Sequence, residues 1–99
     1  MVCSTLVHSI NSNTKFIVSG RVQGVYYRVN IAKNAQAAQV SGYVKNLADG
    51  RVEACVTCTE EKLDTFRRIL QKGSPKSEVL NIEEFQISEC FTGPFEVRT

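Results

Sequence analysis

The stretch Gly20-Arg21-Val22-Gln23-Gly24-Val25-Tyr26-Tyr27-Arg28 carries the chemistry of this chain. It leaves a β-branched and aromatic run and enters a helical pattern. A short glycine-bearing loop is thereby set at a helix N-terminus, where unpaired N–H groups and the helix dipole favour an anion. Gly24 can take positive φ, so successive amides can turn toward one point and form a nest. Arg28 falls in the first turns of the helix, and its planar fork can clamp two phosphate oxygens. The same residues would equally make a tight strand–helix turn whose arginine forms a surface ion pair, and the loop alone does not separate the two.

What the loop lacks narrows the chemistry. It has no Gly-Lys-Ser/Thr, so it is not a P-loop. Phosphatases with a thiolate nucleophile place Cys, five residues, then Arg; counted back from Arg28, that position holds Val22. The single histidine, His8, lies near the start of the chain, and no clustered Asp/Glu set offers oxygen ligands to Mg²⁺. Expelling an alcohol from phosphorus needs protonation or a metal. Expelling a carboxylate does not, because a carboxyl group has a pKa of about 4. An acyl phosphate therefore suits so bare a site, with positioning and electrostatics carrying the transfer.

A water must still be aimed at phosphorus. Asn46 ends the second predicted strand, just before the turn pair Asp49-Gly50. Its amide can accept from water and donate to a phosphate oxygen. An Asn ordering its own turn is the competing reading.

The elements that must position these residues are legible in the periodicity. Residues 15–19 form a strand. Residues 26–39 form a helix with Tyr27, Ile31 and Ala35 inward and Ala32 and Ala38 beside them. Residues 40–45 form a second strand, with Tyr43 on the face opposite Val44. Asp49-Gly50 signals a hairpin into a third strand over 51–57. Thr57-Cys58-Thr59-Glu60 reads as a capping box for a second helix, whose stripe is Leu63, Phe66, Ile69 and Leu70. Gly73 and Pro75 end that helix. Residues 78–87 form a fourth strand whose inward set changes parity between Ile82 and Phe85, which suggests a bulge near Glu83-Glu84. Residues 95–98 add a short last strand. The expected fold is α+β: a ferredoxin-like split β-α-β sandwich, an antiparallel sheet with two helices on one face. The expected organisation is a flexible tail over 1–13 and one domain over 14–99.

Composition agrees with one soluble domain. The 99 residues are 42% hydrophobic and 22% charged, with a net charge of +2. So small a charge gives no reason to expect nucleic acid or an anionic membrane. No apolar run reaches the roughly 20 residues that span a bilayer, and the start lacks a signal-peptide pattern. The expected compartment is the cytoplasm, and the expected state a monomer. Of the four cysteines, Cys3, Cys55, Cys58 and Cys90, the middle pair sits three apart on a strand and so points to opposite faces, a poor arrangement for a shared metal.

Two motifs in register resemble the acylphosphatase family. Gly20-Arg21-Val22-Gln23-Gly24-Val25-Tyr26-Tyr27-Arg28 resembles its loop, and Gly42-Tyr43-Val44-Lys45-Asn46 followed by Asp49-Gly50-Arg51-Val52-Glu53 resembles its second motif. The resemblance spans about residues 14–98. It implies that Arg28 binds phosphate together with the loop residues Gln23, Gly24, Val25, Tyr26 and Tyr27, and that Asn46 orients the water. It implies an acyl phosphate substrate, inorganic phosphate or sulfate as competing ligands, and neither metal nor cofactor. Three positions depart from the family pattern. Tyr27 stands where Phe is usual, Ala38-Gln39-Val40 replaces a common Leu-Gly-Leu and so implies a strained turn, and Cys58 lies near a usual Gly. The alternatives from other classes are an RNA-binding module, which would use Tyr43 on an open sheet face, and a silent anion-binding module.

Overall fold

The computed structural model describes residues 11–24 and 26–98. The chain runs β1 (Asn11–Arg21), α1 (Tyr27–Ala37), β2 (Ser41–Asn46), β3 (Val52–Thr59), α2 (Glu60–Lys72), β4 (Glu78–Gln86) and β5 (Glu96–Arg98). One five-stranded sheet has the order β4-β1-β3-β2-β5. Two β-α-β halves joined by the β2–β3 hairpin give the ferredoxin-like sandwich. The sheet is mixed rather than purely antiparallel: β5 lies parallel to β2, with Val97 opposite Val44.

Alternation along the strands builds the core. Phe16 and Val18 of β1, Val44 of β2 and Val52, Ala54, Val56 and Cys58 of β3 point to the helix-covered face. They meet Tyr27, Ile31, Ala32 and Ala35 of α1 and Leu63, Phe66 and Leu70 of α2, the stripes expected from helical spacing. Phe66 packs between Phe16 and Phe95 at centroid distances of 5.5 and 5.7 Å. Cys55 and Cys58 are buried on opposite faces, as strand geometry requires.

The structure departs from the sequence expectation at the start of β1, the cap of α2 and the bulge of β4. β1 begins at Asn11, so residues 11–13 belong to the sheet and not to a tail. Asn13 lies opposite Thr57, and its side-chain oxygen accepts from the Thr57 hydroxyl at 2.7 Å. Residues 1–10, with Cys3 and His8, lie outside the described residues. The cap of α2 is Thr59, whose Oγ1 accepts from the Lys62 amide at 3.3 Å. Thr57 is held in β3, where its hydroxyl also accepts from the Phe91 amide at 2.9 Å. The β4 irregularity lies at Leu80, since Ser19 pairs with Asn81 and Gly20 with Val79. The parity reading placed Phe85 inward, but Phe85 sits opposite Lys15 on the open face. Glu84, opposite Phe16, faces the helices and pairs with Arg67.

The hairpin uses a three-residue loop. Leu47 donates its amide to the Arg51 carbonyl and Gly50 to the Leu47 carbonyl, with Gly50 at φ 95°. This is a type I turn closed by a left-handed residue, the geometry that needs glycine there.

Candidate active site

The loop after β1 and the first turn of α1 form a concavity of about 430 Å³, lined by Val22, Gly24, Tyr26, Tyr27, Arg28 and Val29. The backbone is unusual here. Gly24 takes φ 72° and Tyr26 φ 61°, both left-handed. Left-handed residues interleaved in a turn direct amides to one side, which is how a nest is made. Nothing lies within 4 Å of where a Gly24 Cβ would stand, so the loop is open to solvent at that point. Tyr26 is the N-cap of α1 but supplies no side-chain bond to its free amides. The first-turn N–H groups therefore stay available to an outside acceptor.

Three side chains of the loop face different tasks. Tyr27 is buried, and its hydroxyl donates to the Leu70 carbonyl at 2.8 Å, satisfying one of the carbonyls left over in the last turn of α2. Burial raises the Tyr27 phenol well above its ordinary range. Gln23 donates from Nε2 to the Leu47 carbonyl at 2.8 Å and to the Arg51 carbonyl at 2.9 Å. Its side chain thus ties the loop to the hairpin, and what Gln23 can offer an anion is its backbone amide. Arg28, half-buried, donates from Nη1 to the Arg98 carbonyl at 2.9 Å. Val25 lies outside the described residues.

These bonds bracket Asn46. Leu47, held by Gln23, follows it in the chain; Arg98, held by Arg28, lies opposite Lys45, which precedes it. The loop and the end of β2 are thus fastened at two points on either side of the asparagine. The Asn46 side-chain oxygen is buried without a hydrogen-bond partner among the described residues. Such an orphan acceptor costs stability and is uncommon unless the site uses it. The role of Arg98 was not legible in the sequence, because parallel pairing of a three-residue strand leaves no periodic signal.

The open sheet face does not present Tyr43 to a base. The Arg98 guanidinium stacks over its ring at 4.1 Å and Phe91 meets it edge-on at 5.5 Å. Its hydroxyl donates to Glu53 at 2.6 Å and lies 3.3 Å from the Cys55 sulfur. Desolvation, then these contacts, push the Tyr43 phenol far up. A base stacking on this residue would have to displace Arg98 from the ring face it covers. Among the described residues no group of three or more His, Cys, Asp or Glu side chains is placed to hold a metal ion, and no helix is long and apolar enough to cross a membrane.

Fold and site together define a small ferredoxin-like domain with an arginine-bearing loop at the mouth of its first helix. Residues 14–95 match the family model described as Acylphosphatase. An acylphosphatase of Haloarcula marismortui is 43% identical over 82 residues, covering 82% of this chain and 89% of that one. One of Alkalilimnicola ehrlichii is 36% identical over 80 residues, covering 81% and 90%. The solved structure of an acylphosphatase from Coxiella burnetii superimposes with a TM-score of 0.82 at 32% identity, covering 89% of this chain and 93% of that one. The chain belongs to the acylphosphatase family, enzymes that hydrolyse acyl phosphates.

Proposed function

We propose that the chain hydrolyses the carboxyl–phosphate bond of small acyl phosphates by direct attack of a water held at Asn46. The phosphoryl oxygens sit among the backbone amides of Gln23, Gly24, Val25, Tyr26, Tyr27 and Arg28. The Arg28 guanidinium keeps the donors not used by Arg98 for the same oxygens. Donors fixed in this way stabilise charge that develops on the phosphoryl group without reorganising as it forms. The Asn46 oxygen accepts from the attacking water. The O–P bond breaks as the water oxygen bonds to phosphorus. The carboxylate leaves with the bonding electrons and needs no acid, and the water's proton goes to the phosphate product.

The observation that supports this reading most is the double fastening around Asn46, through Gln23–Leu47 and Arg28–Arg98. It serves a reaction that needs an anion cradle and a water-orienting amide side by side, which anion binding alone does not. Cys55, Cys58 and Cys90 are free thiols, which suits the cytoplasm. Inorganic phosphate and sulfate compete for the cradle as tetrahedral anions.

The test is hydrolysis of benzoyl phosphate by the purified protein in EDTA, followed from pH 5 to 8. Turnover with a flat kcat and competitive inhibition by phosphate is expected, because no group is asked to change protonation. Absence of turnover refutes the reading; activity lost in EDTA and restored by a divalent ion refutes the metal-free mechanism.

A further inference from the structure

Two apolar side chains stand exposed beside the phosphate loop with no structural task. Tyr26 is 78% exposed and Val29 58%, and both line the concavity that holds Arg28. Tyr26 is the N-cap of α1 and Val29 lies in its first turn, and the concavity brings the two side by side. We propose that Tyr26 and Val29 form the face that receives the acyl group, so that the enzyme prefers aromatic or branched acyl phosphates over acetyl phosphate. The proposal rests on the acyl phosphate reading and specifies the substrate class within it.

Three observations carry it. The first is backbone strain at an exposed tyrosine. Tyr26 sits at φ 61°, a conformation that favours Gly or Asn and penalises a bulky residue. The strain is held in place from the helix: the Tyr26 carbonyl accepts from the Asn30 amide at 3.1 Å and from its side chain at 2.9 Å. A large ring fixed outward at such a cost belongs to a site rather than to the core. The second is position. An in-line displacement puts the leaving group on the far side of phosphorus from the attacking water. Arg28, Tyr26 and Val29 line the concavity and Asn46 stands at the end of β2, so the proposal puts the acyl group on the loop side and the water on the β2 side. The third is chemistry. Around the mouth of the loop Tyr26 and Val29 offer an aromatic face and a branched aliphatic group, which attract apolar surface and do nothing for a methyl group too small to reach them.

The experiment measures kcat/KM for benzoyl phosphate and acetyl phosphate in the wild type, Tyr26→Phe, Tyr26→Asn and Val29→Ser. Asn tolerates the left-handed backbone, so Tyr26→Asn removes the ring without adding strain. The wild type is expected to favour benzoyl phosphate by about tenfold or more, within the range that apolar contacts discriminate. Tyr26→Phe should keep that ratio. Tyr26→Asn and Val29→Ser should each lower it by about fivefold, mainly through the KM for benzoyl phosphate. A ratio unchanged within about twofold in both variants overturns the proposal while leaving the acyl phosphate reading intact. Equal loss on both substrates in both variants would mean that the pair only shapes the loop, and also overturns it. A wild type that hydrolyses neither compound defeats the acyl phosphate reading and this proposal together.

Discussion

Arg28 donates from Nη1 to the backbone carbonyl of Arg98 at 2.9 Å, which ties the last strand to the first turn of α1 and the loop before it. The bond fixes one corner of the guanidinium, and the proposed mechanism gives its remaining donors to the phosphoryl oxygens. Arg98 is itself anchored by stacking on Tyr43 at 4.1 Å and by the parallel pairing of β5 with β2. The first helix, the last strand and the strand that ends in Asn46 therefore meet at one residue.

That geometry makes Arg28→Lys as informative as Arg28→Ala. A lysine carries the charge but is a point donor, without the planar fork that holds the Arg98 carbonyl at one corner and presents a bidentate pair at another. Both variants should lose roughly 10²–10³-fold in kcat/KM on benzoyl phosphate, the loss typical of one preorganised donor. Thermal unfolding should show both folded, because Arg28 is outside the core. A lysine variant within about threefold of wild type would mean that charge suffices and that the fork is idle.

Asn46→Ala should act on turnover and not on binding. Its oxygen is buried without a partner among the described residues, and the proposed mechanism gives it the attacking water as that partner. The variant should lower kcat by about 10²-fold while KM moves by less than about threefold. An effect confined to KM would make Asn46 a phosphate contact. The change should not destabilise the fold, since truncation removes an unpartnered buried acceptor and breaks no bond made by that oxygen.

Much of this arrangement was readable from local pattern, and what was not has a common physical cause. Tyr27, Ile31 and Ala35, and Leu63, Phe66 and Leu70, declared their inward faces because helical spacing is a local property. The two motifs singled out Arg28 and Asn46 along the chain. Pairing between distant segments was invisible: the parallel β5–β2 contact, the sheet role of residues 11–13 and the Arg98 carbonyl all depend on partners more than 40 residues apart. The misplaced bulge is a second case, one of face assignment. Phe85 is apolar and was read as inward, yet it covers the open face beside Lys15 and Ile17 while Glu84 faces α2. The Gln23 side chain offers a third lesson. A glutamine in an anion loop suggests a ligand contact, but its amide holds the hairpin instead.

The exit of α1 offers a stabilising change. Val40 donates to the Ala35 carbonyl and Gln39 to the Gln36 carbonyl, both at 3.0 Å, the paired bonds of a Schellman motif. Gln39 fills its left-handed position at φ 60°, where a residue with a Cβ is strained by about 1–2 kcal/mol. Glycine removes that strain and gives back part of it as extra freedom in the unfolded chain. Gln39→Gly should stabilise by about 0.5–1 kcal/mol, a rise in Tm of several degrees, with kcat unchanged. A lower Tm would mean that the glutamine side chain contributes more than its backbone costs.

Acid should loosen the contact between α2 and the edge strand β4. Arg67 meets Glu84 through two bonds, Nε at 2.9 Å and Nη2 at 2.7 Å from the carboxylate oxygens. The guanidinium beside it holds the Glu84 carboxyl below the usual carboxylate range, the hydrogen bond being the leading cause. A carboxyl lowered in the folded state contributes stability above its unfolded pKa and loses it as the pH falls through the folded one. The pair should therefore be fully coupled at neutral pH and lose its coupling below about pH 4, the unfolded range of Glu. Both side chains are about two-fifths exposed, 41% and 39%, so solvent screens them and the coupling is expected to be below about 1 kcal/mol. A double-mutant cycle of Arg67→Met and Glu84→Gln, measured by urea unfolding at pH 7 and again at pH 3, checks both statements. Coupling that grew on acidification would reverse the sign argued here, and coupling that persisted unchanged at pH 3 would mean that packing of the Arg67 stem on β4, not the ion pair, joins the two elements.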